Sequence, residues 1–380
     1  MPNMFFRALL RQQEQTPTYY IRGKSSILNG TESFKIRYID DITHTTSTII
    51  TETVPTDAEG NWEIEYTGKH LQSLVNFANS KTTLLECDFT NADDFSQLTA
   101  IGAASSTAIF SSCTNLTKVV FGRKNDTVLT DLRNTFYHCV NLVSVDLENL
   151  TLAAAQNLNQ LFDTCSSLAT VDLRDKTFTN VTSSQNIFLN CTSLVSVNLH
   201  AATFENTTRF NSAFEGCSNL TSVDLSSLTL AKSQDNSKIF YGCTDITNIS
   251  MPAATFASAT TISNIFYSCG SLQSLFLPLA NFSKVDSRNA SEPFRYCNSL
   301  TTVFNNQPGT YTKPTALSGC NMRESPLSYS AIETMANWLC TTISQRNFTI
   351  KSTAWNALTA AEQNNIDTIL SGKNWTRVLA

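Results

Sequence analysis

Apolar and polar positions follow a fixed period through the middle of the chain, from Phe110 to Leu277. The frame is Phe-x-x-Cys-x-x-Leu-x-x-Val-x-Leu, as in Phe162 to Leu173 and Phe188 to Leu199. Its cysteines recur at six successive intervals of 26 residues and a last interval of 28, as Cys113, Cys139, Cys165, Cys191, Cys217, Cys243, Cys269 and Cys297. This regularity predicts a repeat architecture.

Each repeat predicts one short strand, Leu-x-x-Val-x-Leu, whose apolar side chains face inward. The Phe and Cys fill the space behind the strand, and a further apolar residue such as Leu152 or Phe178 returns 13 residues after the cysteine. One repeat has too little core to fold alone, but stacked repeats bury these residues as continuous columns. We therefore predict a solenoid with a parallel β ladder and structural cysteines over residues 81–322.

The first unit of the solenoid is atypical. Lys81 stands at its cysteine position, and Cys87, although 26 residues before Cys113, aligns with the valine position of the frame. Terminal repeats usually depart from the consensus because they close the stack.

Residues 1–80 predict a small N-terminal β domain, which we expect to anchor the chain to an assembly. The sequence between Pro55 and Asn61 is typical of a hairpin loop. Alternating stretches predict its strands around Tyr19 to Ile21, Phe34 to Tyr38, Ser47 to Val54 and Trp62 to Tyr66.

Residues 323–380 predict a capping unit of helices and strands. Ser328 is expected to cap a helix that runs from about Tyr329 to Thr342, and Thr359 with Glu362 forms a capping box. The second helix is expected to end near Gly372, with short strands at Phe348 to Lys351 and Trp375 to Leu379. Such a unit would cover the exposed columns of the last repeat.

The repeating frame resembles the unit of the BspA-like leucine-rich-repeat family over about residues 80 to 320. The resemblance implies a leucine-rich-repeat solenoid with α/β-type repeats, and the C-terminal tail is similar to the closing unit of BspA-like proteins. It also implies a non-catalytic repeat, of the kind found in bacterial surface adhesins and in proteins of gut bacteria and their phages. Fold transfers across a family better than function does.

Composition narrows the functions further. The net charge is −5 and no cluster of Lys or Arg is present, which argues against nucleic acid as a partner. The first 15 residues lack the apolar core of a secretory signal, and no apolar run could span a bilayer. We therefore expect a protein that is neither exported through the Sec secretory pathway nor inserted into a membrane.

The sequence offers little catalytic chemistry. Eleven cysteines are an odd count for a disulfide framework, so we expect reduced thiols, and no Cys-x-x-Cys pair suggests a metal site. The four histidines occur in unrelated contexts, and no phosphate loop or metalloprotease motif is present. We expect no enzyme, no cofactor and no metal.

The outward strand positions are the candidate binding residues, since residues on either side of the buried valine face the open side of the sheet. Two alternatives stay open for them. The aspartates are either solvated or a cation site, and the phenylalanines are either an anchor for a partner or buried beneath the C-terminal cap. The candidates are Asp146, Asp172, Asn198, Asp224, Phe276 and Phe304.

These patterns favour a structural or binding protein that uses protein partners. We predict a phage virion component, a capsid or tail-fibre protein, with a host cell-surface ligand as a further partner and oligomerisation left open. The alternatives are a bacterial surface or secreted adhesin, a cytosolic scaffold and, least favoured, a carbohydrate-processing enzyme.

Overall fold

A computed structural model describes residues 18–24, 28–39, 47–67, 70–73, 84–91, 101, 108–121, 129–202, 204–285, 292–303, 320–322, 326–338 and 346–379. The strands of the N-terminal region are β1 Thr18–Lys24, β2 Thr31–Ile39, β3 Ser47–Pro55, β4 Asn61–Thr67 and β5 His70–Ser73. The solenoid strands are β6 Leu84–Asn91, β7 Lys118–Phe121, β8 Ser144–Asp146, β9 Thr170–Asp172, β10 Ser196–Asn198, β11 Ser222–Asp224, β12 Asn248–Ser250, β13 Ser274–Phe276 and β14 Thr302–Val303.

The predicted parallel solenoid is confirmed. Within each hydrogen-bonded group of strands, the residue at the valine position lies opposite its counterpart one repeat away, as Val171, Val197 and Val223 do across β9, β10 and β11. Cys87 pairs in register with Val119, so it occupies the valine position of the first unit as predicted. A second line of parallel bridges joins the return segments, at Asp131, Asn157, Ser183, Arg209, Asp235 and Thr261.

Stacked phenylalanine rings form the centre of the core. Neighbouring rings in this column have centroids 5.3 to 5.9 Å apart and lie nearly parallel. Stacked aromatic pairs add to the stabilisation from burial alone. The column consists of Phe110, Phe136, Phe162, Phe188, Phe214, Phe240, Phe266 and Phe294.

The cysteines beside this column connect one repeat to the next. From Cys139 to Cys297, each thiol donates to the carbonyl oxygen of the phenylalanine in the preceding repeat, with Sγ to O distances of 2.9 to 3.1 Å. The Phe162 oxygen, for example, accepts both the Cys165 backbone N–H and the Cys191 thiol. The cysteine position of the frame therefore needs a small apolar residue that still carries a hydrogen-bond donor.

The strand ladder is interrupted twice. Among the described strands, hydrogen bonds link neighbouring strands in three groups, β6-β7-β8, β9-β10-β11 and β12-β13-β14. They do not link β8 to β9 or β11 to β12. Val145 and Val223, at the two interruptions, are only partly buried, whereas Val171 and Val197 are buried.

A change of buried side chains accompanies both interruptions. Both follow a repeat with two leucines in the return segment, Leu150 and Leu152 in one and Leu228 and Leu230 in the other. The repeat that follows each break has a phenylalanine at the second of these positions, Phe178 or Phe256. The reverse change, from Phe204 to Leu230, does not interrupt the pairing of β10 with β11.

The N-terminal strands occur where they were predicted, but they pair differently from the predicted hairpin. Antiparallel β1 lies between β4 and β6, so its sheet continues into the solenoid as β4-β1-β6-β7-β8. The other three strands form a second sheet, in the order β3-β2-β5. The hairpin predicted across Pro55 to Asn61 is wrong, because β3 and β4 belong to different sheets and this connector joins the two.

The C-terminal region contains helices α1 Tyr329–Trp338, α2 Ser352–Asn356 and α3 Ala360–Ser371 and a parallel sheet of β15 Cys320–Met322, β16 Arg346–Ile350 and β17 Trp375–Leu379. The predicted capping box at Thr359 and Glu362 is confirmed, with both reciprocal hydrogen bonds present. Sequence patterns did not predict α2. Helix α1 contacts β14 and α3. No helix in the described part of the chain is long and apolar enough to cross a membrane.

Replacing one ladder cysteine tests the thiol bond. We expect Cys191→Ala to lower the free energy of unfolding by about 1 to 3 kcal/mol, because the variant loses buried contacts and the thiol donor of the Phe162 carbonyl. Urea denaturation followed by circular dichroism measures the change. Ser222→Ala, on the exposed face, is the control. Equal stability of the two variants would show that the thiol has no such role.

Candidate functional site

The predicted outward row follows the buried valine of each strand. Asp146 and Asp172 are exposed, and Asn198 and Asp224 are half-exposed. Phe276 is half-buried at the same position of β13, and Phe304 lies outside the described residues. The two interpretations of the phenylalanines, partner anchor and burial under the cap, therefore stay predictions.

The acidic and amide side chains of this row cap the turns that follow the strands. Each Oδ1 accepts the backbone N–H of the residue two positions later, at 2.9 to 3.1 Å, in the pairs Asp146 with Glu148, Asp172 with Arg174, Asn198 with His200, and Asp224 with Ser226. In the next two repeats that later residue is Pro252 or Pro278, which has no N–H to donate. The row correspondingly changes there to Ser250 and Phe276.

Neighbouring basic side chains moderate the charge of the row. The Arg174 Nε donates to Asp172 Oδ2 at 2.7 Å, and His200 lies 3.3 Å from Asp224 Oδ2. Partial burial would raise the pKa of Asp172, but the hydrogen bonds and charge of Arg174 outweigh it and lower that pKa. Hydrogen bonds from Ser226 lower the pKa of Asp224, and His200 adds to this effect. Both groups are therefore carboxylates at neutral pH.

A cleft of about 1030 Å³ opens at the first interruption of the ladder, between β8 and β9, and extends over β7. Both Asp146 and Asp172 line it, so the structure brings these two predicted residues to one site and leaves Asn198 and Asp224 outside its lining. Its other charged residues are Asp88, Lys118, Glu148, Arg174, Asp175 and Lys176.

Sequence patterns did not single out Lys176, which forms part of this cleft. Its ammonium group donates to the carbonyl oxygens of Glu148 and Leu150 at 2.9 and 2.7 Å, and the residue is only 8% exposed. A signal was present in the repeat alignment, because Leu150, Ala202 and Leu228 occupy the equivalent positions. A charged residue in an apolar row marks a local departure from the repeat.

The ladder thiols are inert by environment. Burial raises the pKa of the Cys165, Cys191, Cys243 and Cys269 thiols well above the ordinary value of 9.0, and the pKa of Cys297 to about 12. A protonated thiol is a poor nucleophile and a poor metal ligand. Among the described residues, no three His, Cys, Asp or Glu side chains lie close enough to share a metal ion.

Family comparison agrees with the geometry. The family described as "BspA type Leucine rich repeat region (6 copies)" matches residues 79–210, 133–258, 184–288 and 211–344. The chain belongs to this BspA-type leucine-rich-repeat family. No curated protein matches the chain. The BspA-type repeat is typically a non-catalytic binding or adhesin-type module, often in surface or extracellular proteins, and leucine-rich repeats generally mediate contacts between proteins.

Removing one turn cap tests the structural role of the outward row. We expect Asp172→Ala to lower the free energy of unfolding by about 0.5 to 1.5 kcal/mol, because the Arg174 N–H loses its acceptor. Asp172→Asn keeps an acceptor and should cost less. Thermal and urea denaturation measure both variants. Ser250→Ala is the matched control, since Pro252 offers no N–H, and an equal loss in that control would contradict the capping role.

Buried thiols also predict a sharp loss of stability in alkali. Burial raises the pKa of Cys87, Cys165, Cys191, Cys217, Cys243, Cys269 and Cys297. Because the fold keeps these protons and the unfolded chain releases them, stability is fully present below about pH 9 and falls as the pH rises towards the folded pKa.

Above the pKa of the unfolded thiols, each thiol lowers the stability by about 1.4 kcal/mol per pH unit, so the seven together remove about 10 kcal/mol per unit, which is comparable to the stability of an ordinary domain. We expect cooperative unfolding near pH 10 to 11, measured by circular dichroism. The double variant Cys191→Ala/Cys217→Ala should show a shallower pH dependence of stability. A slope unchanged in that variant would count against the buried thiols as its cause.

Proposed function

We propose that the chain is a non-enzymatic binding protein whose recognition face is the outward side of strands β7 to β14. The observation that carries this proposal is the exposure of polar side chains along that side, including Ser144, Thr170, Ser222 and Asn248. The inward rows are occupied by the core and account for the Phe, Cys, Leu and Val of the frame. The membership in a family of binding repeats supports the proposal.

We propose further that the chain is a phage virion component, with a bacterial surface or secreted adhesin as the alternative. Both settings use the same face and differ in the particle that carries the chain. The environments of the carboxylates argue against the carbohydrate-processing alternative, because that reaction needs two carboxylates in distinct roles. Asp146 and Asp172 are both engaged as acceptors for the turns that follow them.

A photo-crosslinking amino acid placed on each side of the solenoid tests the recognition face. Ser222 is exposed on the outward side, and Glu205 is exposed on the return segment. We expect a discrete crosslinked protein from position 222 and none from position 205, because only the outward side is proposed to meet a partner. Equal crosslinking from both positions, or crosslinking from 205 alone, would contradict the proposal.

The same samples distinguish the two settings. Virions and washed cell envelopes are purified separately from the producing culture, and mass spectrometry measures the chain and its crosslinked products in each. We expect both in the virions. Recovery from envelopes alone would exclude the virion assignment and support the adhesin, while leaving the recognition face as proposed.

A further inference from the structure

We propose that the cleft between β8 and β9 binds a Lys- or Arg-bearing segment of a partner protein. This inference rests on the proposed function, because the cleft is part of the same outward face. Three features of the cleft support it: the balance of its charges, the backbone groups at its floor and the exposure of Val145.

Two of the three cations of the cleft are engaged with groups of the chain itself. Lys176 donates to two carbonyl oxygens, and Arg174 forms an ion pair with Asp172. The third cation, Lys118, is exposed. Five carboxylates line the cleft together with these three cations, so negative charge is in excess.

Three exposed carboxylates of the cleft are left without such a partner. Asp146 uses one oxygen for the Glu148 N–H, and its other oxygen has no hydrogen bond among the described residues. Glu148 and Asp175 are exposed, and no described cation forms an ion pair with either side chain. Charge complementarity favours a cationic occupant, since exposed like charges steer and orient an oppositely charged partner.

The interrupted ladder adds a backbone acceptor beside this charge. In a parallel strand, alternate residues bond to opposite neighbours, and Ser144 donates towards β7, to the Thr117 oxygen. The N–H and the carbonyl of Val145 therefore both face β9, and no ladder joins β8 to β9. A guanidinium or ammonium group carries several donors and can bind this carbonyl and a nearby carboxylate together.

The third feature is apolar. Val145 is only partly buried at the break and lies in the lining of the cleft. Lys and Arg side chains carry aliphatic stems that pack on apolar surface while the charged end stays at polar groups. The cleft thus combines an apolar contact for the stem with acceptors for the head, which distinguishes it from a purely acidic patch.

Two charge variants of the full chain test the inference. Asp146→Asn/Glu148→Gln/Asp175→Asn removes the three cleft charges and keeps an acceptor for the Glu148 N–H. Glu59→Gln/Glu205→Gln/Asp245→Asn removes three exposed charges elsewhere and is the matched control. The probes are a fluorescent peptide of arginines spaced by glycines and the same peptide with glutamates, and fluorescence anisotropy measures the Kd.

We expect the arginine peptide to bind the wild-type chain, with a Kd raised about tenfold or more in the cleft variant and little changed in the control. Equal weakening in both variants would reduce the effect to overall charge and overturn the inference, as would equal binding of the glutamate peptide. Calcium binding that the cleft variant abolishes and the arginine peptide does not displace would assign the cleft to a metal and also overturn it.

The crosslinking at position 222 separates this inference from the proposed function. If the cleft variant keeps the crosslink and also keeps the affinity for the arginine peptide, the recognition face stands and the cleft assignment fails. If wild-type chain crosslinks only through position 205, the recognition face itself fails, whatever the peptide does.

Discussion

Contact between identical side chains of successive repeats is the constraint on which the structure depends. A phenylalanine ring stacks on the ring of the next repeat, and a thiol donates back to the carbonyl beside the previous ring. No single repeat contains both partners of either contact, so the stack is stable only as a whole. The 26-residue interval keeps these partners in line, and the strands and turns follow from it.

The stack also holds the backbone in conformations that these residues rarely adopt. The residue before each ladder cysteine has a positive φ, from 56° to 75°, yet only Gly216 and Gly242 in this row are glycines. His138, Thr164 and Tyr296 adopt the same left-handed conformation, which costs a β-branched or bulky residue free energy. The contacts on both sides of each turn outweigh that local cost.

The spacing of residue types along the chain was enough to predict the strands, the inward-facing columns and the helix capping box, because each depends on that spacing. The strand over Ser144 to Asp146 and the capping box at Thr359 are of this kind. The thiol bond was not predicted, since cysteine also suits a purely apolar position. The cleft was not predicted either, because it depends on how Leu150 and Lys176 pack against their neighbouring repeats. A repeat alignment shows which residues occupy equivalent positions, but it does not show how their side chains pack.

The two interruptions of the strand ladder shape the outer surface. They divide the strands of the solenoid into facets of three, β6 to β8, β9 to β11 and β12 to β14. Three strands span roughly 10 Å between the outer two, about the diameter of one α-helix. The return segments stay bridged across both breaks, so the backbone behind the facets is continuous.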